Sequence, residues 1–151
     1  MNKIILIVLI ACWLNTNAQC EERFSSGSIS FHVSIGSRNG CGIELGQQGI
    51  AKHFSFFLGA NLSRTENIER QDSTVFLIYV KGLFRIYQNN NEDFSINGFL
   101  APALLNTEFE LLSGIRLLYV TGRITAVSVE SSYFFDTRKF YWSTGLHFLL
   151  N

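Results

Sequence analysis

The sequence predicts an all-β chain: an eight-stranded antiparallel up-and-down transmembrane β-barrel preceded by a cleaved signal peptide. Three observations predict it. Apolar and polar residues alternate with period two through eight segments, the signature of strands with one apolar face. Most of these segments run nine to fourteen residues. That is closer to the roughly 9–11 residues of a tilted membrane strand than to the 5–6 common in soluble sheets. A short apolar core also sits at the N-terminus.

That core, Ile4–Leu14, follows Lys3 and precedes Asn15-Thr16-Asn17 and the small residue Ala18. The order of charge, apolar run and small residue is that of a secretory signal peptide, and eleven apolar residues are too few for a membrane helix, which needs about 20. The expected division is signal peptide 1–18, a short tail 19–26 and a barrel domain 27–151, with cleavage leaving Gln19 first. Acylation of Cys20 as a lipoprotein is the rival, but Gln19 stands where such signals carry a small residue.

Ser28–Gly36 points Ile29, Phe31, Val33 and Ile35 one way and Ser28, Ser30, His32 and Ser34 the other. Arg38-Asn39-Gly40 is expected to turn the chain, because Asn-Gly suits a tight hairpin. Gly42–Gly49 sets Ile43 and Leu45 against Glu44 and Gly46, and the third segment sets Phe54, Phe56, Leu58, Ala60 and Leu62 against Ser55, Gly59, Asn61 and Ser63. Thr74–Tyr87 opposes Phe76, Ile78, Val80, Phe84 and Ile86 to Tyr79, Lys81, Arg85 and Tyr87. Gln88–Asp93 is a turn, and Phe94–Leu105 follows; Pro102, which cannot donate to a ladder, is expected at a strand end or bulge. Glu108–Val120, the segment carrying Val127–Tyr133, and Phe140–Leu150 complete the eight.

Two architectures accept this pattern. A soluble sandwich or lipocalin-type barrel turns the apolar faces inward, whereas a membrane barrel turns them to lipid. Segment length favours the membrane. So does the polar face, which is glycine- and serine-rich with five charges: Glu44, Lys81, Arg85, Arg116 and Glu130. Small residues and opposed charges suit a narrow, filled lumen, and those five are expected to form a structural charge network inside it. Aromatics also gather at strand ends on the apolar face, at Phe94, Phe109, Tyr119, Tyr133, Phe140, Trp142 and Phe148, as in the girdles of membrane barrels.

The last strand adds a motif: polar Ser143, Gly145 two later, then Phe148 and Leu150, one residue from the chain end. With this terminal-strand pattern, residues 24–150 resemble the small eight-stranded outer-membrane barrels of bacteria, the OmpA/OmpX-like and porin-like group. The resemblance implies residence in the cell outer membrane, contact with outer-membrane lipid, delivery to the barrel-insertion machinery through the C-terminal strand, a monomer, and no enzymatic activity. Those proteins usually carry long outer loops; here the connections Ser37–Cys41, Asn106–Thr107 and Asp136–Lys139 are short and only Arg64–Ser73 is extended. Cys20 and Cys41 would then lie on opposite sides of the membrane, so two free thiols are expected.

Candidate chemistry is sparse. His32 with Ser34, and His53 with Ser55, with Glu44 on the strand between, could mimic the nucleophile, base and carboxylate of a lipid hydrolase. Both pairs fall on the lumen-facing side, so no catalytic residue is expected. His32, His53 and His147 have no metal-ligand spacing, and no metal or cofactor is expected. Twelve basic against twelve acidic residues offer no basic stripe for nucleic acid. The leading expectation is a non-enzymatic outer-membrane barrel with a plugged polar lumen and an envelope structural or binding role. A soluble periplasmic lipocalin-like barrel carrying an apolar ligand and an outer-membrane lipid hydrolase are the alternatives.

Overall fold

The computed structural model describes residues 26–36, 39–51, 53–66 and 72–150. The expected signal peptide, Cys20 and the acylation question lie outside the described residues, as do 67–71; the rest of the expected loop Arg64–Ser73 is strand instead, because Arg64, Thr65 and Glu66 continue the ladder opposite Thr74, Ser73 and Asp72. Eight strands follow in chain order: β1 Ser26–Gly36, β2 Asn39–Ala51, β3 Phe54–Glu66, β4 Asp72–Gln88, β5 Phe94–Leu105, β6 Glu108–Val120, β7 Thr125–Phe134 and β8 Lys139–Leu150. Each pairs antiparallel with its neighbour, and β8 closes on β1 through Ile29 opposite Phe148 and Val33 opposite Thr144. Closure leaves no unpaired edge.

The side-chain period fixes what each face sees. On β1 the outward Phe31, Val33 and Ile35 are 53%, 52% and 62% exposed, while the inward Ser28, Ser30 and Ser34 are nearly sealed. The same alternation exposes Leu45, Leu58, Ile78, Leu104, Ile115 and Leu146 on the other strands. The wall is therefore apolar outside and holds its ionic groups inside, the inverse of a water-soluble protein.

Aromatic rings mark both rims. At the rim where β1 begins and β8 ends, Tyr87 lies 6.5 Å from Phe94, and from that side toward mid-wall Phe148 meets Phe31 edge-on at 6.4 Å. At the far rim Tyr133 packs on Phe140 at 4.6 Å and on Phe135 at 5.3 Å.

Three local expectations are corrected. Tyr87 faces out, not into the lumen, because a register shift between Arg85 and Tyr87 inserts one extra residue into β4, leaving Ile86 and Tyr87 both exposed. Pro102 is at neither a strand end nor a bulge. It stands inside β5 opposite Leu111, and the ladder to β4 lapses between Ala103 and Leu100 without changing register. Asn39-Gly40 is not the centre of its hairpin: β2 already begins at Asn39, and Gly40 pairs with both Ser34 and Ser63. Asn39 Oδ1 instead accepts a hydrogen bond from the N–H of Gly36, whose φ of +130° is open only to glycine.

The other turns use short polar side chains as backbone partners. Asn89 accepts from the Phe94 N–H through Oδ1 at 3.0 Å and meets Asp93 through its side-chain amide. Asn106, at φ 54°, donates its N–H to Phe76 and accepts the Phe76 N–H through Oδ1 at 3.0 Å.

Candidate functional site: an ion cluster across the lumen

Closing the barrel brings inward residues of distant strands face to face at mid-height. Lys81 Nζ on β4 donates to Glu44 Oε1 on β2 at 2.6 Å and to Glu130 Oε1 and Oε2 on β7 at 2.9 Å. Arg116 on β6 donates through Nη2 to Glu44 Oε2 at 2.6 Å and through Nε to Glu130 Oε2 at 2.8 Å. Two cations thus alternate with two carboxylates in a ring of ion pairs, and all four side chains are no more than 5% exposed.

Neutral partners complete it. Tyr79 donates its hydroxyl to Glu44 Oε1 at 2.8 Å and lies 3.3 Å from His32 Nε2, and Ser132 Oγ donates to Glu130 Oε1 at 2.9 Å. Rings cover the cations: Lys81 Nζ sits 4.8 Å from the Tyr79 centroid and 4.7 Å from that of Phe99, and Arg116 sits 5.3 Å from Phe57. Charges withdrawn from water are tolerable only when paired and hydrogen-bonded, as these are. The bonds of Lys81 to Glu44 and Glu130 and of Arg116 to Glu44 join strands that are not neighbours, while Arg116 and Glu130 face each other on adjacent β6 and β7, so the cluster braces β2 and β4 against the β6–β7 pair.

Of the five charges named from sequence, four meet here. The fifth, Arg85, is half-buried four residues further along β4, where its Nη1 donates to Gln88 Oε1 at 2.5 Å. His32 and Ser34 do not turn to each other. Ser34, buried in the lumen, accepts from Asn61 Nδ2 at 3.4 Å, and His32 turns to Tyr79. His53 is exposed in the turn before β3, and Ser55 is half-buried. His147 bonds Ser128 at 2.8 Å nearer the chain ends. Cys41 is a free, exposed thiol on the outer face of β2.

Several inward residues escaped the sequence reading. Phe57, Phe99, Leu77, Leu105, Leu112 and Phe134 all fill the interior, because β3 to β7 carry apolar residues on both faces in places. The lumen is therefore not polar throughout. Toward the far rim, apolar side chains of β4 to β8, with the Phe134 and Tyr141 rings 5.1 Å apart, share the interior with Ser34, Asn61 and Ser63. Glu110, buried opposite Ala103, was also missed; its place in Glu108-Phe109-Glu110-Leu111 was the signal that could have found it.

Space for the cluster comes from glycine. A methyl group at Gly59 would overlap the Tyr79 ring, and one at Gly114 would overlap the Ser131 carbonyl and the Phe99 ring. Gly59→Val is expected to push Tyr79 off Glu44 and lower barrel stability by about 1–3 kcal/mol, the usual cost of overpacking. Urea unfolding in lipid vesicles would measure it.

Comparison with solved structures finds the same architecture. The fold is that of an outer-membrane barrel. It is shared with the Yersinia pestis outer membrane protein Ail, whose backbone structure was solved in a phospholipid bilayer nanodisc: TM-score 0.59, 14% identity, covering 83% of this chain and 99% of Ail. No protein-family model and no curated protein matches the chain. At this identity the likeness carries the fold; the cluster stands on its own geometry.

Proposed function

We propose that this chain is a non-enzymatic barrel of the bacterial outer membrane, its wall in lipid and its lumen plugged, serving envelope architecture or binding at its rims. The observation that carries the reading is the inversion of the fold. Phe, Leu, Ile and Val side chains stand exposed along every strand, while Lys81, Arg116, Glu44 and Glu130 are sealed within. In water such a surface would drive aggregation; in hydrocarbon it is the stable arrangement, because the closed ladder satisfies every strand.

The plug combines the ion cluster at mid-height with the apolar side chains around Leu112, Phe134 and Tyr141 toward the far rim. Eight strands leave an interior that side chains can fill, and these do. A lipocalin-like carrier would need its apolar face and a cavity inside, whereas here ion pairs occupy the centre. A lipid hydrolase would need its serine to reach the bilayer, whereas Ser34 is 2% exposed in the lumen. Contact with outer-membrane lipid, insertion through β8 and a monomeric state belong to the same proposal.

Alkaline carbonate extraction tests it. The protein is expected to stay with the membrane pellet until detergent is added, and the purified barrel is expected to pass no steady current across a planar bilayer. Release by carbonate alone would overturn the membrane reading; a persistent conductance would overturn the plug.

A further inference from the structure

The outer wall is not uniformly convex. A shallow apolar trench of about 640 Å³ crosses β6, β7 and β8 between β5 and β1. One side is the cross-strand row Phe94, Tyr119, Val127, Leu146 and Phe31. The other is Leu117, Val129, Thr144 and Val33, one step further along the same strands. The floor is the backbone of Leu118, Ser128 and Gly145, whose side-chain positions turn inward. The wall dips because short branched side chains, Val127, Val129 and Thr144, stand between the rings of Phe94 and Tyr119 at one end and Phe31 at the other.

We propose that this trench seats one acyl chain of a glycerophospholipid, drawn from the leaflet at the rim that carries the chain ends. The inference rests on the membrane reading above. Its support is the trench's course: it begins at Phe94, the first residue of β5, in the aromatic band, and ends at Phe31 and Val33, midway along β1. Four strand steps of about 4.8 Å, in strands tilted about 40°, descend roughly 12 Å, half of the apolar band of about 25 Å. A groove that starts at headgroup depth and stops at mid-wall is one leaflet deep. That is the reach of a phospholipid tail anchored at the rim; a second protein wall would have no reason to stop there.

Native mass spectrometry tests it. The mature barrel in mixed micelles with palmitoyl-oleoyl phosphatidylethanolamine is exchanged into lipid-free detergent, and retained lipids are counted. Wild type is expected to keep one lipid. Val127→Trp and Val129→Phe, which fill the trench, are expected to lose it, while Leu58→Trp on the wall formed by β3 keeps it. Folding of each variant is checked by its heat-dependent gel shift, and two trench variants guard against one failing to fold. A wild type that retains no lipid, trench variants that retain it undiminished, or a dimer that Val127→Trp dissolves would each overturn the proposal. A chain that stays dispersed without detergent would instead fail the membrane reading itself.

Discussion

Glu44→Ala is expected to be the most damaging single change in the lumen. The carboxylate accepts Lys81 and Arg116 at 2.6 Å each and Tyr79 at 2.8 Å, from a position 1% exposed. Truncating it leaves two buried cations sharing Glu130 alone, and stranding a partner of a buried pair costs about 3–5 kcal/mol. The variant's urea midpoint in lipid vesicles should fall accordingly. A Glu44→Met, Lys81→Met double variant removes one charge of each sign and leaves the Arg116–Glu130 pair at 2.7 Å, so it is expected to lose clearly less than the single change. A Glu44→Ala barrel as stable as wild type would show that the cluster does not brace the wall.

Leu45→Arg is expected to give the second large effect, and it reports on the outside. Leu45 lies midway along β2, 48% exposed between Ile29 and Leu58. On a water-facing sheet, replacing a half-exposed leucine by arginine is worth within about 0.5 kcal/mol. On a lipid-facing strand near the bilayer midplane, arginine costs about 2–4 kcal/mol. Reversible unfolding in vesicles should show that larger loss, with Leu45→Phe near wild type.

Much of this architecture is legible in the residues because period two is a local property. Ser28–Gly36 and Phe140–Leu150 announce their faces without reference to any other strand, and a closed antiparallel barrel is the arrangement that uses eight such strands in order. What escapes is whatever depends on a neighbour. Tyr87 faces outward because the register between β4 and β5 slips by one residue, which the alternation of β4 alone cannot reveal. Phe57, Phe99 and Leu112 fill the interior from segments apolar on both faces, where period two gives no sign of which side is inside.

The charge cluster divides the same way. Its residues stand out as rare charges on strands, yet Glu44 and Arg116 are 72 residues apart and meet through the stagger of the closed barrel. Arg85 matches the others in type and facing, but its height on β4 puts it beside Gln88 at the rim.

The central claim is that the closed wall has its apolar face in lipid and its ions inside, and gel mobility of the outer-membrane fraction with and without boiling tests it most directly. A barrel without free edges opens cooperatively, so the unheated sample in SDS is expected to migrate as a compact band and to shift to about its chain mass of 17.1 kDa, less any cleaved signal peptide, only after heating. A protein with the same mobility at both temperatures, recovered in the soluble periplasmic extract, would contradict the account.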